Sequence, residues 1–148
     1  MKILLKAPSY QSPLKQGTYF AEFPDGTQWC CQRIGKDLFG PITYTVINQS
    51  GDEIFRFERI KERELLIYSG EKRISHLKQK RIGYGMKSID ESSSIDIKET
   101  HKNLHYRYVG NGFIYNSKAR SGELETEESR LEISMAFGFH RLITGLNS

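Results

Sequence analysis

The sequence predicts a mainly β domain: an antiparallel meander of about nine to twelve strands that closes into a barrel around or against a hydrophobic C-terminal helix. Three observations carry this expectation. Runs of β-branched and aromatic residues recur at short spacing, with Gly, Pro, Asn and Asp between them. Thirteen Gly against four Pro in 148 residues supply many tight turns and exclude collagen-like or Pro-rich chains. Residues 131–143 then leave that pattern for an apolar run at helical period. Eight Tyr and eight Phe argue against disorder despite a mean hydropathy of −0.56. A chain of this length buries most of its surface as one domain, 1–148, without needing a metal or a disulfide.

Residues 1–16 read as an N-terminal extension, in which the short apolar run Ile3, Leu4, Leu5 ends at Lys6 and Pro8. The first β-rich run is 18–23, and Pro24, Asp25 and Gly26 turn it into a second at 27–34, a hairpin signal. Gly35 and the Gly40–Pro41 pair break the chain again. Residues 42–47 are almost pure β-formers, and 49–52 turn them into 53–60. There Phe55, Phe57 and Arg59 share one face and Ile54 takes the other. Residues 65–68 and 73–77 form a further pair around Ser69 and Gly70. Residues 104–109 and 113–115, joined through Gly110, Asn111 and Gly112, make the clearest late hairpin. The polar stretch 90–94 and residues 117–126 read as loops.

The C-terminal helix is expected over 127–146. Glu123, Glu125, Glu127 and Glu128 precede the apolar run, where acids complement the dipole of a helix start, and Thr126 is placed to cap it. Leu131, Met135, Phe139 and Leu142 form one stripe, widened by Ala136 and Ile143, while Ile133 and Phe137 fall opposite. A helix apolar on nearly all sides must be enclosed. Gly138 costs about 1 kcal/mol relative to Ala inside a helix, so it marks close approach by another backbone or an aromatic ring. The expected arrangement is a helix threaded into, or clamped by, the strands.

A many-stranded antiparallel meander ending in such a helix resembles the tubby C-terminal-like group, which includes the LURP-one-related and phospholipid scramblase proteins. Residues 44–55, with Asn48 near the bend and Gly51 closing it, look like that group's strand–turn–strand unit. Residues 66–70 with Arg73 and Ile74 look like a shorter copy, and 106–115 around Gly112 like a third. The resemblance spans about residues 18–145 and implies a β-barrel enclosing its helix. It also implies a non-catalytic binding or scaffold module, since tubby domains proper bind phosphoinositides through basic surface residues. Those residues do not match this sequence position by position, and none is carried over.

Charge gives the one candidate site. Lys and Arg total 22 against 18 acids, a net +4, which permits an anionic partner without demanding one. Lys72, Arg73, Lys78, Lys80, Arg81 and Lys87 cluster in sequence with Glu71 as the single acid, and Tyr84 lies between Gly83 and Gly85. Fixed cations beside open backbone amides are what phosphate recognition needs. The competing reading is a solvated strand face whose lysines protect a sheet edge. The expected partner is an anionic lipid headgroup or another protein.

No catalytic constellation, cofactor motif or metal site is expected. His101 and His105 lack the intervening Glu of a His-Glu-x-x-His site, since Lys102 stands there. His140 reads as a hydrogen-bonded core or rim residue. No Gly-x-Ser-x-Gly elbow occurs, and the Glu127–Glu128 and Glu62/Glu64 pairs flank turns or helix starts. Adjacent Cys30 and Cys31 suit neither a bridge nor a Cys-x-x-Cys motif, so both are expected to be free thiols in the cytoplasm. The sequence shows no signal-like apolar start and no apolar stretch long enough for a transmembrane segment. The alternative function is a small basic β-rich nucleic-acid-binding protein, stacking bases on exposed aromatics. The directions of Trp29, Tyr84, Tyr106 and Tyr108 separate the two: burial around the helix favours the first, exposure beside the lysines the second.

Overall fold

The computed structural model describes residues 1–8, 18–34, 41–60, 64–80, 85–88, 96–102 and 105–145. Twelve strands run in chain order as an antiparallel meander: β1 (Lys2–Lys6), β2 (Thr18–Glu22), β3 (Gln28–Ile34), β4 (Ile42–Ile47), β5 (Glu53–Ile60), β6 (Glu64–Ser69), β7 (Lys72–Gln79), β8 (Met86–Ser88), β9 (Asp96–Lys102), β10 (His105–Gly110), β11 (Phe113–Lys118) and β12 (Ser121–Thr126). Pairing of β1 with both β2 and β12 closes the barrel. A 3-10 turn, Glu128–Arg130, leads into helix α1, Leu131–Gly145.

Three expectations are corrected. Residues 1–16 are not simply an extension: Lys2–Lys6 is the closing strand, because Ile3 and Leu5 alternate inward and are almost wholly buried. Residues 117–126 are not a loop but the end of β11, a two-residue turn and β12. Polar outward residues masked that strand, and Gly122 faces inward where a Cβ would collide with the Tyr115 ring. The helix begins at Leu131 rather than 127, and Thr126 is the last residue of β12, not its cap. The Thr126 hydroxyl donates to the Glu127 carbonyl at 2.9 Å and accepts from Ser134 at 3.0 Å, which ties the strand end to the first turn of α1. The polar stretch 90–94 lies outside the described residues.

The hairpin signals correspond to real turns. In the β4–β5 connection the Asn48 side chain accepts from the amides of Ser50 and Asp52, both at 3.0 Å, and Gly51 sits at φ +85°. A Cβ there would be strained, which is why a glycine closes this bend.

The barrel is filled by α1. Met135, Ala136, Phe137 and Phe139 are wholly buried, and Ile133, Leu142 and Ile143 nearly so. Phe137 meets Tyr108 edge-on at 5.2 Å and Tyr115 at 6.3 Å, with Phe113 at 6.2 Å. A Cβ on Gly138 would stand 2.6 Å from Leu5 Cδ1 and 3.3 Å from the Tyr115 ring, the close approach that the glycine signals. On the opposite wall Tyr44 stacks on Phe57 at 5.2 Å.

Cys31 faces this core and is fully buried, whereas Cys30 points out of the sheet and is partly exposed, both as free thiols. Burial pushes the Cys31 thiol well above its usual range, so little reactive thiolate forms there. Native-state labelling with a thiol reagent should therefore modify Cys30 first, with Cys31 reacting only as fast as the barrel opens. Equal rates would contradict the inward phase of Cys31.

Candidate functional site: the basic end of the barrel

Ionised side chains separate along the barrel axis. Because strands alternate in direction, the β2–β3, β4–β5, β6–β7 and β10–β11 turns and the β12–α1 connection share one end. That end holds Asp25, Asp52, Glu53, Glu71, Glu127 and Glu128, partly offset by Lys72, Arg73 and Arg130. The other end, toward which α1 runs, holds Arg33, Arg59, Lys78, Lys80, Lys87 and Arg120, with Glu58, Glu64 and Asp96 as acidic positions beside them among the described residues.

This polarity divides the basic run. Lys72 and Arg73 open β7 at the acidic end, exposed, while Lys78 lies six residues further on, roughly 20 Å away at ~3.3 Å per residue. Lys78, Lys80 and Lys87 share the basic end, and Arg81 and Tyr84 lie outside the described residues. Lys78 stands directly opposite Lys87 on β8, both exposed on the outer face. Like charges so placed repel. Glu64, opposite Lys78 on the other side, answers this at 4.0 Å, but it also lies 3.3 Å from His76. Asp96 is the register partner of Lys87. This row accommodates the solvated-face reading as well as an anion.

The inner rim of the same end was not singled out from sequence. Arg33 pairs with Tyr44 across β3–β4, and Arg59 with Ile42 across β4–β5. Both arginines are in phase with buried residues, Cys31 for Arg33 and Phe55 and Phe57 for Arg59, which puts them on the inner face at the rim, Arg33 exposed and Arg59 half-buried. Burial raises the Tyr44 hydroxyl above its ordinary pKa, and the guanidiniums of Arg59 and Arg33 pull it partly back down, so both act on one phenol. The signal was legible as strand parity: a cation two residues beyond an inward Phe or Cys must reach the rim.

From α1, Arg141 stacks over the Tyr108 ring at 5.2 Å. Burial pushes the Tyr108 hydroxyl up to about 12 against the pull of Arg141 and with some help from Glu99, so it remains a donor. His140 departs from expectation. It is 5 % exposed, yet among the described residues neither ring nitrogen has a hydrogen-bond partner, so it is a core residue without the bond such a position normally requires. Burial first, then Arg141 and Arg59, lower its pKa to about 3, which keeps the imidazole neutral.

His101 lies on β9 opposite Tyr106, and His105 opens β10 opposite Lys102, so the two occupy neighbouring strands rather than one helix face. Among the described residues no three His, Cys, Asp or Glu gather as metal ligands, and no helix is long and apolar enough to cross a membrane. In comparisons with known proteins, no family model matches the chain, and neither a curated protein nor a solved structure matches it significantly.

Proposed function

We propose that the chain is a non-catalytic binding module of tubby C-terminal-like type that recognises an anionic, phosphate-bearing ligand at its basic end. The observation that carries this reading is the charge separation along the barrel: outer lysines and inner arginines share one end, where among the described residues they outnumber the acidic positions Glu58, Glu64 and Asp96. A filled interior supports it as well. With α1 occupying the barrel, ligand contacts fall to the surface and the rim rather than to a deep lumen. Near the rim, Tyr44 and Tyr108 stay protonated, offering hydrogen-bond donors rather than bases.

The aromatic side chains favour this reading over nucleic-acid stacking. Tyr108 is buried against α1, Tyr106 packs on the core, and Trp29 meets Phe23 edge-on at 4.6 Å. None of these three presents a free ring beside Lys78 for a base to cover. Tyr84 lies outside the described residues.

The test is co-sedimentation with phosphatidylcholine vesicles that contain phosphatidylglycerol, alongside titration with a single-stranded oligonucleotide. Vesicle binding is expected at low salt and should weaken as salt rises, since screening acts on charge contacts. Lys78→Ser with Lys87→Ser should reduce it several-fold while leaving the melting temperature nearly unchanged, because exposed positions usually cost under about 0.5 kcal/mol. Lys72→Ser with Arg73→Ser, at the other end, should leave binding intact. Tighter binding to the oligonucleotide would favour the nucleic-acid reading. Indifference to both ligands would reduce the net charge to a solubility feature and direct the search to protein partners.

A further inference from the structure

We propose that Arg33, Arg59 and Tyr44 form an inward-facing site for a single phosphate group, set in the rim at the basic end of the barrel. The proposal rests on the reading of the chain as an anion-binding module and gives that module a specific receptor, separate from the outer lysines.

Placement is the first argument. Arg33 lies opposite Tyr44, and Arg59 lies two residues beyond Phe57, the partner of Tyr44 on the next strand. Their backbones are therefore roughly 10 Å apart across the sheet and 7 Å along it, with the phenol between them. Two long side chains rooted at that spacing on one concave wall can close on one tetrahedral anion. Both guanidiniums pull the Tyr44 hydroxyl in the same direction, which is consistent with this placement.

Hydrogen-bond supply is the second. Each guanidinium carries five N–H donors and no acceptor, and Tyr44 adds a hydroxyl. Among the described residues neither Arg33 nor Arg59 makes a salt bridge, although Lys6, Arg56, Lys78 and Lys118 each find a carboxylate. Among the described residues, the carboxylate in inward phase in this layer, Glu99, lies opposite Tyr108 instead. Among the described residues this layer is rich in donors and cations and poor in acceptors, and an oxyanion is what balances both. Arginine favours phosphate because its planar fork engages two oxygens at once, which a point charge does not.

The experiment is a thermal-shift and calorimetric titration of the whole chain with inorganic phosphate, at ionic strength matched by chloride. A ligand that binds the native state raises its melting temperature. Wild type should show a saturable rise with phosphate and none with chloride. Arg33→Gln with Arg59→Gln should weaken phosphate affinity about tenfold or more, as expected when charge-assisted hydrogen bonds are lost. Arg33→Lys with Arg59→Lys keeps the charge but removes the fork, and should also weaken binding. Lys78→Ser with Lys87→Ser should not. Arg33 is exposed, so Arg33→Gln alone supplies a folded variant should the pair prove unstable.

Phosphatidylcholine vesicles containing phosphatidate separate the two sources of the phosphate. If the arginine variants lose both free phosphate and vesicle binding, the occupant is a lipid headgroup. If they lose free phosphate alone, it is a small soluble phosphate. No saturable response to phosphate, or a response the arginine variants retain, overturns the site. Should vesicle binding through Lys78 and Lys87 persist in that case, the broader reading stands while this inference falls.

Discussion

Phe137→Asp should abolish the folded state. Phe137 is fully buried on α1 and meets Tyr108, Tyr115 and Phe113. Truncating a buried Phe costs about 3–5 kcal/mol by itself, and an unpaired charge in the same place adds several more. A domain of this size has roughly 5–15 kcal/mol in total, so the substitution consumes most or all of it. Burying each of Ile133, Met135, Phe137, Phe139, Leu142 and Ile143 contributes about 1.5–3 kcal/mol, so α1 stabilises the barrel by an amount comparable to its net stability. Removing residues 131–148 should accordingly yield insoluble protein, since the strands would enclose nothing. Phe137→Leu is the control: it should still fold, with a loss of about 1–3 kcal/mol. The measurements are a circular-dichroism melt and the soluble fraction after expression. A truncated chain that keeps a cooperative transition and its strand signature would show that the helix is not the core.

That dependence explains why the architecture was readable before the structure. Residues 131–143 are apolar on every side, and such a segment in a β-rich chain has to be surrounded by the strands; Gly138 even marked the contact that Leu5 and Tyr115 make. Strong hairpins were equally plain, because Pro24 to Gly26 and Asn48 to Gly51 carry turn chemistry that few other conformations use. Weak strands were not. β1 is five residues long and ends in lysines, and the inward side of β12 offers Gly122, Leu124 and Thr126, too small and polar a set to stand out from a loop. β8 is three residues long, below the length at which alternation can be detected.

Site residues were harder to read for a related reason. A cluster in sequence is a cluster in space only when the chain turns back on itself. β7 instead draws the basic run out along the barrel wall and sends Lys72 and Lys78 toward opposite ends. Arg33 and Arg59 are 26 positions apart in sequence and come onto one face only through β4, so no local window could have joined them. What the sequence did hold was their phase relative to Cys31 and to Phe55 and Phe57.

His140 makes acidification the second large effect. Its pKa falls from about 6.5 in the unfolded chain to about 3 in the fold, mainly through burial, with Arg141 and Arg59 adding repulsion. The unfolded state therefore binds a proton that the native state refuses at every pH between those values. Stability must rise with pH across that window and fall as the solution is acidified. It is fully present above about pH 6.5 and is lost progressively toward pH 3. From pH 7 to pH 5 a single such histidine removes about 2 kcal/mol. His140→Leu eliminates the titration and replaces an imidazole whose two nitrogens have no partner, so it should be at least as stable as wild type at pH 7 and lose far less on going to pH 5. Asp25 and Glu123, whose pKa values are lowered by the Thr27 amide and by Lys118 respectively, titrate below this range and act equally in both proteins. Urea midpoints measured at pH 7, 6 and 5 in phosphate-free buffer isolate the contribution of His140 as the difference between the two slopes. Parallel slopes would mean that the imidazole accepts its proton inside the fold, and hence that the core around His140, beside Arg59 and Arg141, opens to water at little cost.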